Sequence, residues 1–156
     1  MNQRRYLILA ALLITLVPAA TSADARLAAV DRCTLAVNTA DTARLSLKAL
    51  QDQQLTAISR IHTRLSNLVI QASLQGHSLK SISADDTELT KRQTEIVSSY
   101  TTLLAAVSAT GSQCGLPSAM ATAKTDLTAT RTQVASFQLW AAQHLTPDLQ
   151  LAVAKS

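Results

Sequence analysis

Cys33 and Cys114 are the only cysteines of the chain, and two thiols can pair or ligate a metal. A metal would need further Cys or His at ligand spacing, and neither cysteine has one nearby. His62, His77 and His144 are far apart. None has a carboxylate or thiol partner at motif spacing, so they read as surface or boundary residues. Asp85, Asp86 and Glu88 could form an acid–base or cation site. They lack the convergent oxygens that calcium requires. Preceded by Ser83-Ala84, they resemble a capping box and the acidic first turn of a helix. Serine and threonine are abundant, yet no Gly-x-Ser-x-Gly elbow or Ser-x-x-Lys arrangement supports a nucleophile. No Cys-x-x-Cys-His run could attach a haem. Trp140 lies beside Phe137 and Ala141 and reads as core or boundary rather than as an exposed anchor. The expectation is a chain with no catalytic residue, no metal and no cofactor.

The address is written at the start. Residues 1–23 read MNQRRYLILAALLITLVPAATSA. Arg4 and Arg5 form a positive n-region, Tyr6 to Val17 an apolar h-region, and Pro18 breaks it. Thr21-x-Ala23 and Ala23-x-Ala25 both suit a signal peptidase, which requires small side chains at those two positions. The alternative is an uncleaved anchor, but the apolar stretch is about 15 residues against the roughly 20 that a spanning helix needs. The chain is therefore expected to be exported and periplasmic, cell-surface or secreted. A membrane would be involved only through the leader if it stayed uncleaved. In such a compartment two cysteines are expected to form a disulfide; two buried free thiols are the alternative.

Charge argues against nucleic acid. The net charge of +4 includes Arg4 and Arg5. Without residues 1–23 there remain 12 basic and 10 acidic side chains, and Lys91-Arg92 is the only adjacent basic pair. A nucleic-acid footprint requires clustered basic residues.

The remaining residues must build the elements that carry these groups. Three glycines, three prolines and 3% aromatics fit long helices with few turns. A first helix is expected from about Asp24 to Gln75. Its seam is Cys33, Ala36, Ala40, Ala43, Leu47, Leu50, Gln54, Ala57, Ile61, Leu65 and Leu68, spaced mostly by three and four as in a coiled coil. Leu55, Ile58, Val69 and Ala72 widen its second half. Asn38-Thr39-Ala40-Asp41 is a weak point because Asn, Thr and Asp are poor helix formers. Gly76 should end this helix, with His77 to Ser83 as a linker. The second helix would then run to about Thr110 with Leu89, Ile96, Tyr100, Leu103 and Val107 on one face. The break Gly111-Ser112-Gln113-Cys114-Gly115 follows. Pro117 opens the third helix at a favoured first-turn position, with Met120, Ala123, Leu127, Val134, Phe137 and Ala141 as its seam. Pro147 stops or kinks it.

The expected fold is all-α: an elongated antiparallel three-helix bundle with a long first helix, preceded by a signal peptide. The segments are 1–23 signal peptide, 24–147 helical bundle and 148–156 tail or short helix. The core should contain Leu47, Leu50, Ile61, Leu65, Leu68, Ile96, Tyr100, Leu103, Val107, Leu127, Val134 and Phe137. A Cys33–Cys114 bond would place the start of helix one beside the turn into helix three. Helix one is then too long for its neighbours by about 20 Å at 1.5 Å per residue. Either the linker runs back along it, laying Leu79 and Ile82 on Ile70 and Leu74, or it bends near Asn38. An exposed apolar patch for a partner is expected at Ile70, Leu74, Leu79 and Ile82.

The layout resembles a class of uncharacterised exported two-cysteine, three-helix proteins from bacteria with reduced genomes. The likeness rests on Arg26-Leu27 and Asp31-Arg32-Cys33-Thr34 near the start of helix one, Leu89-Thr90 and Tyr100-Thr101 in the middle helix, and Gln113-Cys114-Gly115-Leu116-Pro117 at the second turn. It implies a fold and an address but no activity. Leu89-Thr90-Lys91-Arg92-Gln93 also resembles the Leu-Thr-x-x-Gln motif of small periplasmic chaperones of the Spy and CpxP type. Leu145-Thr146-Pro147-Asp148-Leu149-Gln150 misses that motif by one residue. The leading expectation is a non-catalytic exported protein acting on a protein or cell-envelope partner. A periplasmic holdase chaperone is the alternative.

Overall fold

The computed structural model describes residues 25–74, 80–147 and 150, and the side chains of these from Asp31 onward, Ser81 excepted. Residues 1–23, Gly76, His77, Leu79 and most of the expected tail lie outside the described residues. Three helices pack against one another, and there is no strand among the described residues. They are α1, Ala25–Leu74; α2, Lys80–Ser112; and α3, Pro117–Trp140. A π-helical turn, Ala141–Leu145, follows α3.

Long helices form here because almost nothing interrupts them. Between Ala25 and Leu74 there is no glycine or proline. The many hydroxyl residues, ordinarily indifferent helix formers, turn their side chains onto the helix itself. Thr42 Oγ1 donates to the Asn38 carbonyl at 2.9 Å, Thr56 Oγ1 to Asp52 at 2.8 Å and Thr90 Oγ1 to Asp86 at 3.0 Å. Bonds to the carbonyl four residues back leave the hydroxyl satisfied without competing for the helical N–H groups. The expected weak point at Asn38–Asp41 is therefore continuous helix, and Ala36, Ala40 and Ala43 are buried there.

The described chain divides into two compact units. Unit 1 comprises Met1–Ala49 with Thr101–Thr128; unit 2 comprises Leu50–Tyr100 with Ala129–Ser156.

Unit 1 is held by small side chains. Its buried residues are Ala36, Ala40, Ala43 and Leu47 of α1, Leu103, Ala106, Val107 and Thr110 of α2, and Ala119 and Ala123 of α3. Gly111, expected to begin a break, is instead a buried residue of α2. A Cβ there would lie 3.0 Å from Ala40 Cβ and 3.4 Å from Val37 Cα. The tight contact is with the Ala40 methyl, which is fixed to its backbone and has no rotamer to escape by, so α1 itself would have to give by a few tenths of an ångström. Gly111→Ala is expected to lower stability by about 1–2 kcal/mol. Overpacking costs about 1–3 kcal/mol, and the better helix propensity of alanine returns up to about 1. A chemical denaturation curve checks it, and a gain in stability would contradict the close approach.

The turn after α2 has a Schellman C-cap. Gly115 N–H donates to the Thr110 carbonyl at 2.8 Å and Cys114 N–H to Gly111 at 3.0 Å. The left-handed positions are Cys114, φ 52°, and Gly115, φ 72°. Pro117 then opens α3 as expected.

Unit 2 is held by large side chains. Gln51, Ile58, Leu65 and Ala72 of α1 are buried at intervals of seven. Ile82, Leu89 and Ile96 of α2 repeat the same interval, joined by Tyr100, Thr130 and Leu145. The heptad corrects two expectations. Ile82 is 1% exposed and belongs to α2, not to a linker or a surface patch. Burying it in phase with Leu89 draws the helix back to Lys80, so Ser83-Ala84-Asp85-Asp86 lies inside α2 and not at its start. Ser83 and Asp86 carbonyls accept from Thr87 and Thr90 instead. Ala57, expected on the seam, is exposed and Ile58 is buried in its place.

Of the expected core, Leu47, Leu65, Ile96, Tyr100, Leu103 and Val107 are buried. Leu50, Ile61, Leu68, Leu127, Val134 and Phe137 are half-buried. Pro147, expected to stop or kink the helix, follows a π-helical turn, and residues 148 and 149 after it lie outside the described residues. Its ring cannot tolerate the carbonyl four residues earlier in a regular α-helix. The turn before it widens, with Thr146 N–H donating to the Ala141 carbonyl and Leu145 buried.

Candidate functional site

Among the described residues two features come first, one in each unit. In unit 1 Cys33 and Cys114 are joined as a disulfide, with Cα atoms 4.3 Å apart and a sequence separation of 81. The start of α1 therefore does sit beside the turn into α3. Cys33 is half-buried at the flank of the Ala36 seam, and Cys114 is exposed. Gly115 completes the contact, its Cβ position 3.6 Å from Ala36 Cβ.

In unit 2 a polar stripe joins α2 to α3. Glu88, Arg92 and Glu95 lie three and four residues apart, so they share one face of α2. Glu88 Oε1 is 2.8 Å from Arg92 Nε. Lys91 Nζ stands 3.8 Å from Glu88 Oε2. Arg92 Nη1 donates to Ser136 Oγ at 3.4 Å, and its guanidinium carbon lies 4.9 Å from the centre of the Trp140 ring. Gln133 Nε2 donates to Glu95 Oε2. One turn further, Thr130 Oγ1 donates to the Ser99 carbonyl at 3.2 Å, which allows that hydroxyl to be buried. The pairings 92 with 136, 95 with 133 and 99 with 130 run in opposite directions along the two helices, so α2 and α3 are antiparallel here.

Trp140 is half-buried, as a boundary residue. Its ring centroid is 6.2 Å from that of Phe137 and 6.3 Å from that of His144, the latter nearly parallel at 23°. His144 is exposed. Truncating both ends of the Arg92–Trp140 contact in a double-mutant cycle should return a coupling of about 0.5–1 kcal/mol, the range for a partly exposed cation–π pair. A coupling near zero would remove Arg92 from the tie.

His62 has a partner that spacing could not show. Its Nδ1 is 3.4 Å from Asp86 Oδ1, across from α1 to α2. The residues are 24 apart in sequence, and only the antiparallel packing brings them together.

These groups tie one helix to another. Among the described residues no group of three or more His, Cys, Asp or Glu could hold a metal ion. Nor is any helix among them long and apolar enough to cross a membrane.

Of the expected contact residues, Ile70 is 55% and Leu74 83% exposed on the last turns of α1. Leu79 lies outside the described residues, and Ile82 is buried away from both roles it was given. Leu139 of α3, not singled out by the sequence, is also exposed. The Leu-Thr-x-x-Gln match has structural work in each described contact: Leu89 is fully buried, Thr90 bonds back to Asp86, and Arg92 forms the stripe.

No family model matches the chain, and comparison with curated proteins and with solved structures found no match.

Proposed function

We propose that this chain is an exported, non-catalytic helical bundle that acts by contact with a protein or cell-envelope partner. The observation that carries the reading is how its polar side chains are used. Arg92, Glu88, Glu95, Gln133, Ser136, His62 and Asp86 are each engaged in helix-to-helix or neighbouring-turn contacts. Large apolar side chains at Ile70 and Leu74 face solvent. The disulfide supports an oxidising compartment, since such bonds persist in exported proteins and are rare in the cytosol. The two-cysteine layout supports kinship with the exported three-helix class that the sequence resembles.

Cross-linking in the native envelope, followed by purification of the mature protein, tests this reading. A defined partner should be retained by the wild-type chain and lost from Ile70→Ser/Leu74→Ser, whose exposed positions should leave folding unchanged. Suppression of client aggregation at stoichiometric amounts, with no defined partner, would replace the reading by a holdase chaperone. Histidine-dependent turnover in a substrate screen would overturn both.

A further inference from the structure

We propose that the Cys33–Cys114 bond is a redox latch: opening it by a dithiol releases the first turns of α1 from unit 1 while unit 2 remains folded. The inference stands on the fold and needs no partner for Ile70 or Leu74.

Access comes first. Cys114 is an exposed residue at the turn after α2, and that turn is the side from which an incoming thiolate would approach the bond. Exchange requires that approach as much as it requires a thiolate. The backbone of Cys114 is also in the left-handed region, φ 52°, a conformation disfavoured for any residue with a Cβ. The two C-cap hydrogen bonds and the bond to Cys33 hold it there.

What else fastens this end of α1 is slight. Its buried side chains in unit 1 are Ala36, Ala40, Ala43 and Leu47, so three of the four contribute a single methyl group. Leu35, Val37 and Leu45, the larger side chains of the same stretch, are 51%, 43% and 67% exposed. The same helix in unit 2 is anchored by Ile58 and Leu65, at 1% and 0% exposure. Local opening proceeds where buried apolar contacts are few. With the bond closed, residues 33–47 are tethered to the α2–α3 turn. With it open, the tether is gone and the seam of Ala36, Ala40, Ala43 and Leu47 remains.

The step balances as a dithiol–disulfide exchange. A thiolate of the reductant attacks Cys114 Sγ, the Cys33–Cys114 bond breaks, and Cys33 leaves as a thiolate that takes up a proton. The second thiol of the reductant attacks its own sulfur in the mixed disulfide and displaces Cys114. Two electrons and two protons pass to the protein, and the reductant is left as a disulfide.

Hydrogen exchange on the full chain, with and without dithiothreitol, tests the latch, with free thiols counted in parallel. Two thiols should appear under native conditions. Amides of residues 36–47 should then lose roughly tenfold or more of their protection, while those of 58–72 and 82–100 change by less than about twofold. Cys33→Ser/Cys114→Ser should show the same pattern without reductant, which separates the missing bond from any effect of the reagent. No thiols released under native conditions, unchanged protection at 36–47, or an equal loss in both units would each overturn the proposal.

Discussion

Replacing Cys33 and Cys114 together by serine is expected to lower the stability of the chain to global unfolding by about 4 kcal/mol. The bond spans a sequence separation of 81, and chain-entropy models assign a loop of that length about 4 kcal/mol through the unfolded ensemble. Serine is a fair probe because Cys114 is exposed and Cys33 half-buried, so little packing is lost with the sulfurs. For a chain of this size such a loss corresponds to a fall in Tm on the order of 10 °C or more. Helix content before the transition should be nearly unchanged, since the helices of unit 2 are held by Ile58, Leu65, Ile82, Leu89 and Ile96 and not by the bond. Circular dichroism through the melt reads both quantities. A variant that melts within a few degrees of wild type would show that the bond adds little constraint to the unfolded chain.

Leu65→Ala carries the second large expected effect. Leu65 is fully buried, at 0% exposure, in the heptad row of unit 2. Removing such a side chain forfeits its transfer free energy and leaves a cavity, together about 3–5 kcal/mol. Leu74→Ala deletes the same atoms from a side chain that is 83% exposed and should change stability by less than about 0.5 kcal/mol. The contrast between the two isolates burial from helix propensity, because both positions are in α1 and both exchanges are Leu to Ala. Urea denaturation measures the pair. A Leu65→Ala loss no larger than that of Leu74→Ala would refute the heptad core.

The features that could be read from the sequence are those written in local spacing. Three helices follow from apolar residues three and four apart and from the scarcity of glycine and proline. Pro117 marks a helix start wherever it falls, because its missing N–H has no partner to lose there. The disulfide followed from cysteine number and the expected compartment, and the place of the start of α1 beside the α3 turn followed from the bond.

What escaped depends on residues distant in sequence. Ser83-Ala84-Asp85-Asp86 has the local form of a cap, but burial of Ile82 in phase with Leu89 outweighs a capping preference of about 1 kcal/mol. Gly111 looks like a helix breaker until Ala40 and Val37 are seen against it. Gln51 and Thr130 were passed over as polar, yet they are buried, and Thr130 is satisfied by a carbonyl of another helix. The polar stripe was invisible for the same reason: Arg92 and Ser136 are 44 residues apart. Of the apolar patch expected at the end of α1, Ile70 and Leu74 are exposed and Ile82 is buried, because the heptad of α2 takes Ile82 into the core.

Export, as proposed, and closure of the bundle by the Cys33–Cys114 bond can be tested together. The most direct test is the intact mass of the protein taken from its native compartment, measured without reduction and with free thiols blocked at lysis. The expected result is a chain beginning at Asp24 or Arg26, two hydrogens lighter than its reduced form and carrying no blocking group. A chain beginning at Met1 with both Cys33 and Cys114 blocked would contradict it.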